Sequence, residues 1–67
     1  MYHKLMNYLD KLATVDRAIT DREKELTQLR SQRAQLTHDA IDSGITQYRI
    51  AQHLHRNQSS ISSWLKQ

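Results

Sequence analysis

The feature that most constrains this chain is the absence of helix-breaking residues from its first two thirds. Its single glycine is Gly44, and it contains no proline. Before Gly44, apolar residues recur at steps near three and four or their sums, which is helical spacing. These residues are Leu5, Leu9, Leu12, Ile19, Leu26, Leu29, Leu36 and Ala40. The pattern predicts one long helix over residues 2–42, spanning about 60 Å.

A helix of that length needs a neighbour. A chain of 67 residues buries only about 60% of the surface that it exposes when unfolded, so its own core is marginal. We therefore expect residues 1–43 to form a coiled-coil-like dimerisation helix, with residues 44–67 packed on its end as one compact domain per dimer. The expected dimer interface consists of Leu5, Leu9, Leu12, Ile19, Leu26, Leu29 and Leu36.

The heptad pattern of this helix is imperfect. The companions of its leucine and isoleucine positions include Asp16, Glu23 and Arg30, and a strict zipper would not place charges there. Beyond Leu26 the spacing indicates a new phase, so either the supercoil changes or the helix breaks. Thr20 and Glu23 form a capping-box pattern that would suit a helical hairpin. A continuous or slightly kinked helix is favoured, because the segment lacks the glycine, proline or asparagine of a hairpin loop.

Charge is distributed unevenly along the chain. Residues 1–43 hold seven basic and seven acidic side chains, whereas residues 44–67 hold Arg49, Arg56 and Lys66 and no acidic residue. The net charge of +3 therefore lies entirely at the C-terminal end. Such an end is suited to meet an anion. On charge alone, contact with a nucleic acid and an ordinary basic surface are about equally good explanations.

Nothing in the sequence indicates catalysis, so we expect no enzymatic activity, cofactor or small-molecule ligand. There is no cysteine, no glycine-rich phosphate loop and no metal-protease motif. His53 and His55 are two residues apart, which on a helix directs them about 200° from each other, so no metal site is expected. No apolar run is typical of a signal peptide or a membrane span, and we expect a cytoplasmic protein without membrane contact.

A second helix is predicted directly after the long one. Ser43 and Gly44 should end the long helix, since glycine readily takes the left-handed conformation found there. Thr46 suits the N-cap of the next helix, and Ile45 can close on Ile50 as a hydrophobic staple.

The second helix is predicted over residues 47–55 and a third over residues 58–66, with a short turn at Arg56 and with Asn57 as the cap of the third. Two crossing helices need a small residue where they meet, which Ala51 supplies. The expected core of this unit is Ile50, Ala51, Leu54, Ile61, Trp64 and Leu65.

The stretch QYRIAQHLHRNQSSISSWL, residues 47–65, resembles the helix-turn-helix of phage repressor and Cro-type regulators. It departs from that family at His55, where a left-handed glycine is usual, and at Arg56, where an apolar residue is more usual. The family's later helices have no counterpart, so Leu36, Ala40 and Ile41 or a second subunit should supply the missing packing. The matching residues, within about 20 of 67, are Gln47, Ala51, Leu54, Asn57, Gln58, Ser59, Ile61 and Trp64.

The resemblance implies a bacterial, phage or plasmid transcriptional regulator, a repressor or autoregulator associated with the nucleoid. It would bind an inverted repeat in double-stranded DNA as a homodimer, with residues 58–66 as the recognition helix. Gln58 can pair with adenine, and in such proteins Gln47 also braces that glutamine. The expected base contacts are Gln58, Ser59, Ser62 and Ser63. The expected phosphate contacts are Thr46, Gln47, Tyr48, Arg49, Arg56, Asn57 and Lys66.

Two questions stay open at this level. Parallel long helices would place both C-terminal units at one end and suit half-sites about 34 Å apart, whereas antiparallel helices would separate them by up to about 60 Å. The alternative function is a protein-interaction adaptor or inhibitor, in which the coiled coil is the working surface and the helix-turn-helix is only a structural cap.

Overall fold

The structure is all-helical. It is a computed structural model that describes the backbone of residues 2–67 and the side chains of residues 7–67. Three helices follow one another along the chain: α1 (Tyr2–Asp42), α2 (Gln47–Leu54) and α3 (Gln58–Leu65). The predicted all-α architecture with a long N-terminal helix is confirmed. Within the part of the chain that is described, no helix is both long and apolar enough to cross a membrane.

The long helix is continuous. α1 comprises 41 residues and makes the molecule 64 Å long, as the helical spacing predicted. Thr20 lies in its interior, so the hairpin alternative is wrong. Two other threonines of this helix satisfy their hydroxyls locally, since Thr14 donates to the carbonyl of Asp10 and Thr27 to that of Glu23. Such bonds let polar side chains sit in a helix interior without interrupting it.

The junction between α1 and α2 follows the predicted capping chemistry. Gly44 has φ +96°, in the region that glycine tolerates best. The backbone N–H of Ile45 donates to the carbonyl of Ala40 at 3.0 Å, which closes the end of α1. Thr46 then caps α2, its hydroxyl oxygen accepting from the backbone N–H of Arg49 at 3.2 Å. These bonds fix the direction in which α2 leaves α1.

The turn between α2 and α3 is made by His55. This residue takes the left-handed conformation, with φ 55° and ψ 45°, as the resemblance noted above implied. The N–H of Arg56 bonds to the carbonyl of Ala51 at 2.9 Å. Asn57 has the extended backbone of an N-cap, but its side chain makes no capping hydrogen bond. Asn57 is thus the N-cap residue, as predicted, but the bond to the first turn comes from the backbone, where the N–H of Ser60 donates to the carbonyl of Asn57 at 3.0 Å.

The core lies where α2 and α3 cross. Ala51, Ile61 and Trp64 are buried, Ile61 completely, and Ile50 packs against them. Leu65 is half-buried. Leu54 does not join this core and is 46% exposed, because it lies in the last turn of α2 beside an open groove. The prediction that placed Leu54 in the core of a single chain is corrected accordingly.

The end of α1 packs on α3 through small residues. Ala34 and Thr37 are buried, whereas Leu36 is 67% exposed. The Thr37 hydroxyl is satisfied by the backbone carbonyl of Arg33 at 2.6 Å. Ala40 and Ile41 are half-buried. The prediction that Leu36 packs on the C-terminal unit is wrong, because each step of one residue turns a helix by about 100°, and it is the face of Ala34 and Thr37 that meets α3.

The neighbouring face of α1 carries an apolar stripe, which we call the α1 stripe. Its members are Tyr8, Leu12, Val15, Ile19, Leu26, Leu29 and Leu36, all exposed. Only Arg22 and Arg33 interrupt the alternation of four- and three-residue steps. The heptad spacing does not change after Leu26. The residues that share this stripe with Leu12, Ile19 and Leu26 lie three positions after them, at Val15, Arg22 and Leu29, and not at Asp16, Glu23 and Arg30. Leu9 is exposed beside the stripe, and the side chain of Leu5 lies outside the described residues.

Candidate nucleic-acid interface

The outer face of α3 is polar and uncharged. Gln58, Ser59 and Ser63 are exposed on it, because Ile61 and Trp64 take the inner side of the same helix. Ser59 and Ser63 are four positions apart and share a helical face, and Gln58 is exposed in the first turn, about 100° around the helix from Ser59. The face combines hydrogen-bonding groups with little bulk, and a duplex could approach the helix backbone closely.

The predicted contact residue Ser62 turns towards α2. Its hydroxyl donates to Oε1 of Gln47 at 2.8 Å, and both side chains are half-buried. The bond joins the first turn of α2 to the middle of α3 and helps to fix their relative placement. Gln47 thus pairs with Ser62, and no hydrogen bond joins it to Gln58 among the described side chains. The amide nitrogen of Gln47 remains available to an outside acceptor.

The C-terminal unit that carries this polar face also carries three exposed cations. Arg49, Arg56 and Lys66 are exposed. Among the side chains of residues 7–67, the only ion pair joins Arg22 to Glu25, far along α1. The positive charge of the C-terminal unit is therefore not neutralised within the chain. Such unpaired cations raise the local concentration of an anionic partner and can pair with its phosphates.

Trp64 anchors two arginines. The guanidinium carbon of Arg33 lies 4.2 Å from the centroid of the Trp64 ring, and that of Arg56 lies 5.3 Å from it. Both distances are typical of cation–π contacts. The contact restrains Arg56 at the edge of α3 while leaving it exposed. As predicted, Trp64 is a core residue rather than a stacking platform, being 5% exposed.

The remaining predicted phosphate contacts differ in whether their hydrogen-bonding groups are already used within the chain. Thr46 uses its hydroxyl oxygen for the α2 cap but keeps the hydroxyl proton. The Tyr48 hydroxyl accepts from Nε2 of Gln52 at 2.8 Å, so its own proton is available and its ring is held in place. Asn57 is exposed, and its side chain is not used for capping. All three lie near the unpaired cations in sequence.

Sequence reasoning missed Arg33 and the Gln47–Ser62 bond. Arg33 reaches the C-terminal unit from α1, and the only signal of this in the sequence is a charged residue within the apolar stripe. No group of three or more histidine, aspartate or glutamate side chains in the described part of the chain could hold a metal ion. No family model, curated protein or solved structure matches this chain.

Proposed function

We propose that the protein is a sequence-specific regulator of transcription that binds double-stranded DNA. The observation that carries this proposal is α3, on which Gln58, Ser59 and Ser63 lie exposed, in a unit whose exposed cations have no acidic partner among the described side chains. A major groove admits one α-helix whose side chains reach the base edges. Hydroxyl and amide groups can read those edges, and the surrounding cations can pair with phosphates.

Each part of the interface has its own task in this proposal. Gln58, in the first turn of α3, can make a bidentate pair with N6 and N7 of adenine. Ser59 and Ser63 contact bases or bridging waters next to it. Arg49, Arg56 and Lys66 bind phosphates and supply affinity without sequence preference. The Gln47–Ser62 bond keeps α3 at a fixed angle to α2, so that both meet the DNA together.

The regulator acts as a homodimer on an inverted repeat, as a repressor or autoregulator. One α3 helix reads only a few base pairs, and two copies related by a two-fold axis double the contact area and require two half-sites at a fixed spacing. The exposed α1 stripe supports this arrangement, because a row of large apolar side chains in water is stabilised by a second copy that covers it.

Selection of bound duplexes from a random-sequence pool, at about 0.15 M salt, tests this proposal. The native protein should enrich an inverted repeat, and Gln58→Ala should lose the preference at one position of each half-site. Gln28→Ala, which removes the same side chain from an exposed site on α1, is the matched control and should select the native sequence. No enrichment by the native protein would refute sequence-specific binding.

The second candidate is a protein-interaction adaptor or inhibitor that works through α1. The length of the exposed stripe, from Tyr8 to Leu36, favours it, since such a surface also suits an amphipathic helix of another protein. On that proposal Gln58→Ala and Arg49→Ala would both be silent, whereas a charge placed within the stripe would abolish partner binding.

A further inference from the structure

The α1 stripe has the geometry of a two-stranded coiled-coil seam. Together with Arg22 at a d position and Arg33 at an a position, its residues alternate by four and three positions from Tyr8 to Leu36, which is the heptad spacing of core positions a and d. Leu12, Ile19 and Leu26 take position a, while Tyr8, Val15, Leu29 and Leu36 take position d. Around the middle of α1, Val15, Ile19 and Leu26 line one apolar groove with Arg22 at its rim. The face has room for a second helix.

The C-terminal end of the stripe opens into a second apolar groove. Leu29 and Leu36 of α1 line it together with Ile50 and Leu54 of α2. A helix that packs on the stripe at this level would also cover Leu54, which α3 leaves exposed. The two grooves therefore belong to one surface along α1, with α2 at one edge.

Charges beside the seam favour a parallel partner. In a parallel, in-register pair each g position faces the partner's e position five residues later. Lys11 then faces the partner's Asp16, and Glu25 faces the partner's Arg30. Symmetry repeats both contacts, and every charged g–e pair is attractive. Ala18, the g position between them, and Gln32, the next one after Glu25, are uncharged.

In an antiparallel pair whose helices overlap along their full length, the contacts between charged side chains are less favourable. There Leu12 lies opposite the partner's Leu29, and e positions face e positions. Asp16 would face the partner's Glu23, and symmetry repeats this repulsion. The only opposite-charge contact between g positions joins residues 4 and 39. Repulsive pairs thus offset the attractive ones in this orientation, whereas the parallel orientation has no repulsive contact between its g and e positions.

Arg22 fixes the register of the parallel pair. It occupies a d position, and its Nη1 lies 3.1 Å from a carboxylate oxygen of Glu25 in the same chain. In register, two arginines meet within a ring of four carboxylates, Glu23 and Glu25 from each chain. A shift by one heptad would instead place Arg22 against the partner's Val15 or Leu29. A polar core layer lowers stability but specifies alignment.

We infer that the α1 stripe binds a second copy of this chain as a parallel, in-register coiled coil. The inference deepens the homodimer of the proposed function and rests on it. Both α2–α3 units then lie at the same end of the dimer, related by an axis along α1. DNA half-sites should accordingly be centred about 34 Å apart, and not separated by the length of α1.

Asp16→Lys discriminates between the two orientations by the sign of its effect. In the parallel dimer it places the new ammonium group against the partner's Lys11 and should weaken dimerisation roughly tenfold. In the antiparallel dimer the new lysine faces the partner's Glu23 and would strengthen dimerisation. No charged residue lies three or four positions from Asp16 in its own helix. Asp10→Lys is the matched control, because Asp10 takes an outward f position and should leave the dissociation constant unchanged in sedimentation equilibrium.

A disulfide gives an independent readout, since the native chain has no cysteine. Leu12→Cys should cross-link two copies under mild oxidation, because both a positions share one layer of a parallel pair. Lys24→Cys, at an outward f position, should not. Stronger dimerisation by Asp16→Lys, cross-linking only between Leu12→Cys and Leu29→Cys chains, or a monomeric native protein would each overturn the inference. A parallel dimer that selects no duplex would instead reject the DNA proposal alone.

Discussion

The guanidinium of Arg33 lies over the ring of Trp64, with 4.2 Å between the guanidinium carbon and the ring centroid. Arg33 belongs to α1 and Trp64 to α3, so this contact ties the long helix to the C-terminal unit. Nε of Arg33 is buried without a hydrogen-bond partner. The arginine is thus held by the ring face and by the packing of its aliphatic stem, not by an ion pair.

Removing this contact should loosen the C-terminal unit. Arg33→Ala loses a partly desolvated cation–π contact and the packing of the stem, and we expect a loss of about 1 to 2 kcal/mol in the free energy of unfolding. Urea denaturation followed by the fluorescence of Trp64, the only tryptophan, measures it at constant protein concentration. Arg17→Ala, on an exposed part of α1, is the control. Equal stability of the two variants would contradict the structural role of Arg33.

The core between α2 and α3 depends on Ile61. This side chain is fully buried, so Ile61→Ala should lower the free energy of unfolding by about 2 to 5 kcal/mol, and Ile61→Val by about 0.5 to 1.5 kcal/mol. The graded pair separates cavity formation from nonspecific damage. The same denaturation experiment reads both. A valine variant as unstable as the alanine variant would mean that the site does not respond to side-chain volume.

Local chemistry was the part of this fold that the sequence predicted well. The Thr46 cap and the left-handed Gly44 each depend on a few neighbouring residues, and the structure has both. The left-handed His55 was expected from the resemblance alone. The uninterrupted α1 likewise follows from the absence of glycine and proline. What the sequence could not settle was the side of α1 that meets α3, because that depends on the direction in which the chain leaves Thr46.

At the candidate site, too, the features set by neighbouring residues were predicted and those set by the packing of two helices were not. Which residues of α3 point outwards could be read from the spacing of Ile61 and Trp64, and Gln58, Ser59 and Ser63 are exposed as expected. The Gln47–Ser62 bond joins residues 15 positions apart and depends on the crossing of two helices. No sequence pattern indicates this bond, and helical spacing alone predicts Ser62 on the open face.

The Gln47–Ser62 bond should contribute measurably to stability. Ser62→Ala leaves Oε1 of Gln47 half-buried without its donor, which should cost about 0.5 to 1.5 kcal/mol. Ser63→Ala makes the same replacement at the next position of α3, where the side chain is exposed and makes no such bond. Because both positions are helical, the difference between the two variants isolates the hydrogen bond. Denaturation midpoints that coincide would show that the bond contributes nothing.

The left-handed turn at His55 should make one glycine substitution favourable and its near neighbour unfavourable. His55 has φ 55°, so His55→Gly relieves backbone strain and should raise the free energy of unfolding by up to about 1 kcal/mol. His53→Gly places glycine inside α2 and should lower it by about 0.5 kcal/mol. Thermal denaturation of both variants tests the opposite signs. If both variants are less stable than the native protein, the side chain of His55 stabilises the fold by more than its backbone strain costs.

Arg49 should control the affinity for DNA without affecting its sequence preference. Its exposed guanidinium has no acidic partner, so pairing with a phosphate would release one condensed cation. Arg49→Ala should therefore weaken binding to all duplexes alike and reduce the slope of log K against log salt by about 1. Titrations of a selected duplex and an unrelated one, at several salt concentrations, measure both quantities. Arg17→Ala is again the control, because it removes the same charge from α1 and should leave the slope unchanged. A change in base preference with Arg49→Ala would instead place this arginine at a base edge, and an unchanged slope would place it away from the DNA altogether.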